Sequence, residues 1–157
     1  MKIISHRGNL TGSISDQENH PSYIQIAIDS GYEVEVDVWF VDEQFYLGHD
    51  KPQHFIDDSW LKDRSSLLWC HAKNQEALEQ LWGMNLLLGT INYFWHENDR
   101  MTLTSHGIPW LFPGNYSELG VTVHLDKPDS FFHKMFGVCT DYPISWQSAV
   151  STYKENI

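Results

Sequence analysis

The sequence predicts one α/β domain spanning 1–157, a reduced or incomplete barrel of mostly parallel strands with helices missing in its C-terminal half. An open, mostly parallel sheet is the neighbouring expectation. Three observations carry it. As far as residue 95, stretches with the two-residue period of strands alternate with helical stripes, the order that builds a parallel sheet. Beyond His96 the helical period disappears, and short apolar runs follow one another between Gly and Pro. Reactive side chains fall at the ends of the predicted strands, where parallel α/β folds form ligand sites.

Residues 2–8 (KIISHRG) read as a short strand ending in His, Arg and Gly, and 9–19 as a polar loop. Pro21 opens a helix where its missing N–H costs nothing. Ile24, Ala27 and Ile28 give that helix an apolar stripe, and Gly31 is placed to end it. Residues 33–50 (EVEVDVWFVDEQFYLGHD) are the stretch around which the rest is arranged. Glu33, Glu35, Asp37 and Trp39 alternate with Val34, Val36, Val38 and Phe40, so a strand here has a valine back and a carboxylate-bearing front. Such a front meets solvent, or its repulsion is relieved by a cation. A turn at Asp42-Glu43 then brings His49 back toward the end of the strand.

Residues 57–63 suit a short surface helix. Residues 67–73 (LLWCHAK) form the third strand, with Leu67, Trp69, His71 and Lys73 on one face. Asn74 caps the next helix, whose stripe is Ala77, Leu78, Leu81 and Trp82. Gly83 and Gly89 bracket a break before a fourth strand at 90–95. Residues 101–103, 108–112 and 121–125 are strand-like, 136–140 (FGVCT) is a last buried strand, and 144–153 a closing helix.

Composition narrows the function. Aromatics make up 14% of the chain, with seven Trp, which argues against disorder. A formal charge of −11 argues against nucleic-acid and anionic-membrane partners. No apolar run reaches membrane-spanning length, and the N-terminus turns polar at Ser5-His6-Arg7, too early for a secretion signal; a cytoplasmic protein is expected. Cys70 and Cys139 sit in apolar runs and read as buried thiols with no disulfide.

Successive strand ends supply His6-Arg7, Glu35 and Asp37, His71 and Lys73, His96-Glu97, and Thr140-Asp141. A lone His at a strand end is commonly structural; repetition on one rim points to a site. The order H-R-G, E-N, E-x-D-V and H-D, here His6-Arg7-Gly8, Glu18-Asn19, Glu35-Val36-Asp37-Val38 and His49-Asp50, resembles the fingerprint of the glycerophosphodiester phosphodiesterases, relatives of phosphatidylinositol-specific phospholipase C. Residues 137–143 (GVCTDYP) are similar to the last strand of that family, G-x-x-T-D-x-P. The resemblance covers residues 3–50, is looser at 67–73 and 136–143, and is absent between.

It implies a barrel of the triosephosphate isomerase (TIM) type and metal-dependent hydrolysis of a small glycerol or sugar phosphodiester. His6 and His49 would be general acid and base, Arg7 and Lys73 would bind phosphate, and Glu18 and Asn19 would support Arg7 or the metal. Glu35 and Asp37 would hold one divalent ion, Mg²⁺ or Ca²⁺ in the family. The family's third strand reads E-x-K, its Glu a metal ligand; this chain has His71-Ala72-Lys73. His71 as a ligand favours Mn²⁺ or Zn²⁺.

The second departure is length, with the deficit falling after His96. Residues 94–99 with 103–105 and 110–114 also resemble a short bacterial subgroup associated with surface polysaccharide. His96, Glu97 and Asp99 are a substrate-contacting cluster or a solvated turn; Trp95 and Trp110 stack on a sugar or pack in the core. His54, His106, His124 and His133 are expected to be surface or structural residues. Asp141 is expected to support the site through a hydrogen bond. Two further readings stand beside the phosphodiesterase: a catalytically silent module binding a phospho-sugar or lipid headgroup, and a zinc hydrolase built on His71, Glu35 and Asp37. Uncovered strand edges suggest a homodimer.

Overall fold

Val34, Val36 and Val38 are wholly buried, and they decide how the central strand lies. The computed structural model describes residues 1–129 and 135–155; His133 falls outside them. Strand β1 (Lys2–His6) leads through helix α1 (Pro21–Asp29) to β2 (Glu33–Val41), which turns back as β3 (Gln44–Leu47) and β4 (His54–Ile56). Then come α2 (Asp58–Arg64), β5 (Leu68–Ala72), α3 (Gln75–Leu88) and β6 (Asn92–Trp95). The remainder is β7 (Met101–Leu103), β8 (Pro109–Leu111), β9 (Val121–Val123), β10 (Gly137–Thr140) and α4 (Pro143–Glu155).

Local chemistry sets these limits. Pro21 stands in the first turn of α1, and Ser30 closes it by donating its N–H to Ile26 O at 3.0 Å. The Asp57 side chain accepts from Trp60 N at 2.8 Å to start α2, and Asn74 caps α3 through Ala77 N. Gly89, in the left-handed region at φ 69°, ends α3. The break expected at Gly83 does not occur. One interior glycine costs a helix about 1 kcal/mol, and burial of Ala77 and Leu81 together with caps at both ends outweighs it. Strand β4, carrying His54, was not foreseen: its pairing to β3 follows from a return of the chain after Gly48.

Parallel ladders join β6 to β5, β5 to β2, β2 to β1, β1 to β10, β10 to β9 and β9 to β8. Hairpins add antiparallel strands, β3 and β4 beyond the outer half of β2 and β7 on β8. The sheet is therefore mixed around a parallel centre. Its convex side packs Val34, Val36 and Val38 against Ile24 and Ala27 of α1 and Ala77 and Leu81 of α3. On the inner side Ile4, Trp69, Phe94, Trp110, Val121, Val123 and Cys139 form a second core.

That inner core curls the sheet into a half-barrel. Phe94 of β6 stacks on Trp110 of β8 with ring centroids 4.5 Å apart, and Trp69 lies 5.6 Å from the same Trp110. Strands far apart in ladder order thus meet through aromatic side chains. Among the described residues no ladder joins β6 to β8; instead Ser105 N–H donates to Tyr93 O at 2.8 Å and Tyr93 N–H to Ser105 Oγ at 3.0 Å. Between β6 and α4 no helix occurs among the described residues. Cys70 and Cys139 are free and buried, and burial pushes the Cys70 thiol up to about 12. No helix among the described residues is long and apolar enough to cross a membrane.

If Trp110 holds the two flanks of the curl together, Trp110→Ala should lose about 3–5 kcal/mol of unfolding free energy in urea titration. A loss below about 1 kcal/mol, the size of an ordinary surface change, would refute this role.

Candidate functional site

The outer ends of β1, β2, β5 and β6 carry the polar side chains to one cleft of about 630 Å³. His6, Arg7, Glu35, His49, His71 and Lys73 line one part of it. Arg7 leaves β1 in the left-handed region at φ 54°, followed by Gly8 at φ 92°. This bend is fixed on both sides, since Arg7 N–H donates to Glu35 O at 3.0 Å and Asn19 N–H donates to Arg7 O at 3.1 Å.

His6 is buried at the end of β1, and its Nδ1–H donates to Asp141 Oδ1 at 2.7 Å. The other ring nitrogen, Nε2, stands 3.9 Å from Glu35 Oε2. Burial alone would lower the His6 pKa, but Asp141 and then Glu35 outweigh it and the value is raised. Asn9, wholly buried, ties two parts together: its Nδ2 donates to Asp141 Oδ1 at 2.8 Å and to Glu18 Oε1 at 2.9 Å. Glu18 in turn accepts from Arg7 at 3.1 Å.

Glu35 and Asp37 share the inner face of β2, at 3% and 0% exposure. Asp37 Oδ2 accepts from Asn19 Nδ2 at 2.8 Å and lies 2.8 Å from Arg7 Nε. Its second oxygen, Oδ1, has no hydrogen-bond partner, although Lys73 Nζ is 3.4 Å away. Glu35 Oε2 is also buried without a partner. Burial would raise both carboxyls; around Asp37 the imidazole of His71 with Arg7 and Lys73 prevails and holds it far below the carboxylate range. Glu35 is raised, by burial and then by the neighbouring Asp37 charge. Glu33 is not part of this group: it accepts from Trp69 Nε1 at 2.7 Å and pairs with Lys2.

His71 lies on the same side as the carboxylates. Its Nε2 is 2.9 Å from the backbone oxygen of His96, and a carbonyl can only accept, so Nε2 carries the proton. Nδ1 stands 3.2 Å from Asp37 Oδ1 and 3.8 Å from Glu35 Oε1; with a proton it donates to Asp37, and without one it presents a lone pair to both carboxylates. Three electron-rich atoms face each other unless a proton or cation lies between them. Glu35, Asp37 and His71 each offer a ligand atom, all within 4.8 Å of one another, so this donor set could hold a metal ion.

His49 stands across the cleft, 45% exposed at its side chain, with Nδ1 2.7 Å from Asp50 Oδ1. Burial and then Arg7 lower its pKa. Gly48 determines its position. At φ 152° a Cβ there would meet Lys51 O at 2.2 Å, and Gly48 O accepts from Trp39 Nε1 at 2.7 Å.

Every residue expected in the site from sequence therefore lies in or beside one cleft, Glu18 bracing Arg7 and Asn19 bracing Asp37. Asp141 makes the hydrogen bond expected of it, to His6. Sequence reasoning missed Asn9, whose only signal was a lone Asn in a polar loop, and missed Phe112 and Leu125 as cleft walls. Trp110, 3% exposed, packs in the inner core and borders the cleft, whereas the half-buried Trp95 touches the cleft but packs against the core behind the sheet. His54 pairs edge-on with His20, and His124 with Trp146, outside the cleft.

Protein freed of metal should bind Mn²⁺ with a stoichiometry of about one by calorimetry, one ion for one three-ligand cluster, and Asp37→Asn should abolish this. Affinity should fall as pH drops through the raised Glu35 value, because the proton occupies a ligand oxygen. Unchanged binding in Asp37→Asn would exclude the cluster.

No family model, curated protein or solved structure matches this chain.

Proposed function

We propose that this chain is a metal-dependent phosphodiesterase resembling the glycerophosphodiester type, in a shortened TIM-type barrel, acting on a small phosphodiester. One observation supports this above others: two imidazoles, two cations and a carboxylate–imidazole cluster, from separate strand ends, line a single cleft.

The cluster of Glu35, Asp37 and His71 would hold the divalent ion, which when bound supplies positive charge against that growing on the phosphate. A neutral nitrogen in place of a third carboxylate favours Mn²⁺ or Zn²⁺ over Ca²⁺. Arg7 and Lys73 bind phosphate oxygens, Arg7 with its planar fork held by Glu18 and Asp37. His49, lowered by burial and Arg7, is the neutral imidazole that takes the proton of the attacking hydroxyl. His6, its Nδ1 tied to Asp141, presents Nε2 and gives a proton to the leaving oxygen. The buried aromatic floor beneath the site keeps bulk water from the lower side of the cleft.

Hydrolysis of bis(p-nitrophenyl) phosphate and of glycerophosphodiesters, with Mg²⁺, Ca²⁺, Mn²⁺ and Zn²⁺ restored singly to stripped protein, tests this. Turnover should require a metal, and His6→Ala and His49→Ala should each lose about 100-fold or more in kcat. Full turnover in both variants would remove the acid–base assignment. Phosphate binding without turnover of any substrate would leave a binding module instead.

A further inference from the structure

The polar group occupies only part of the cleft. Beyond it, the wall from β6, β8 and β9 presents His96, Phe112 and Leu125, with Glu97 and Asn98 exposed beside them. A phosphate held by Arg7 and Lys73 and a three-carbon alcohol would leave this wall bare.

His96 is the informative residue. It is 9% exposed, and neither Nδ1 nor Nε2 has a hydrogen-bond partner. Its backbone oxygen is already used by His71, so the residue is fixed at the end of β6 while its ring makes no polar contact. Leaving such groups unpaired costs about 1–3 kcal/mol each, and native proteins keep them chiefly where a ligand, ion or water completes them. His96 belongs to no metal-ligand cluster among the described residues. Its ring instead faces Phe112, centroid to centroid 5.4 Å, a residue 37% exposed at the cleft edge.

The geometry points to an alcohol subsite: the group esterified to the phosphate is a hydroxylated six-membered ring of sugar type, and His96 binds one of its hydroxyls. This rests on the phosphodiesterase reading and selects within it a ring alcohol over glycerol. A neutral imidazole offers one donor and one acceptor, and so does a hydroxyl. Aromatic faces carry negative charge density, which suits the C–H face of a saturated ring. The Phe112 ring at the cleft edge supplies such a face, and because both His96 nitrogens are buried, a ring hydroxyl reaches them only if side chains beside them, Phe112 among them, shift. Glu97 and Asn98 supply further hydrogen-bonding groups at the rim, which an acyl chain or a purely aromatic group would leave unused.

Calorimetry on Mn²⁺-loaded protein with inorganic phosphate, glycerol 3-phosphate, glucose 1-phosphate and phenyl phosphate tests this. Glucose 1-phosphate should bind about tenfold tighter than glycerol 3-phosphate, the worth of one net hydrogen bond. His96→Phe, which keeps the ring and removes both nitrogens, should erase that advantage and change phosphate affinity less than twofold. Should that variant not fold, Phe112→Ala at the surface should weaken glucose 1-phosphate selectively. Equal affinity for the two alcohol phosphates, tighter binding of phenyl phosphate than glucose 1-phosphate, or an advantage that survives in His96→Phe and Phe112→Ala, each overturns the subsite while leaving the phosphodiesterase reading. Failure to bind inorganic phosphate overturns that reading and the subsite with it.

Discussion

Two carboxylates buried two residues apart on one strand govern the rest of the molecule. Glu35 and Asp37 are nearly devoid of water, where like charges repel strongly and lone charges are costly. The strand cannot turn them outward, because its opposite face is Val34, Val36 and Val38, and a one-residue slip would expose all three. Valine burial thus holds the acids in place. Arg7, Lys73, Asn19 and His71 then gather on Asp37, and Asp37 stays ionised while Glu35 is pushed upward. Oxygens left unpaired in such a place, with His71 beside them, could hold a cation.

The half-barrel supports this arrangement with few residues. In a full barrel a ring of helices covers the outer face and strand side chains fill the interior; here Trp69, Phe94 and Trp110 fill the inner face, and outside, helices α1 and α3 pack on the first strands. Aromatic contact across the curl replaces a ladder between β6 and β8. The same economy shapes the cleft, because the strands lacking outer helices contribute its apolar wall.

Asn9 and His96 show how single residues join otherwise separate parts of the cleft. Asn9 bonds the carboxylate that orients His6 and the carboxylate that braces Arg7, so the two side chains share one buried hydrogen-bond network. Such networks lose more than one pair's energy when one member goes. The His96 carbonyl accepts from His71 Nε2, so the turn after β6 orients an imidazole of the carboxylate cluster.

Much was legible in the chain itself. Alternation at 33–40 marked β2 and the face its acids share, because strand side chains alternate strictly. Asn74 and Gly89 marked the limits of α3 through caps that depend on local geometry alone, and recurrence of His, Arg and Lys at strand ends marked the rim. Tertiary structure decided what depends on distant neighbours. Whether β2's acids met water or were buried, that Glu33 left the group for Trp69 and Lys2, that Gly83 stayed helical, and that Trp110 packs inside the curl while Trp95 packs behind the sheet all follow from tertiary contacts. The partner of His6 lies 135 residues away in sequence, and no local pattern encodes a hydrogen bond that exists only once β1 and β10 pair.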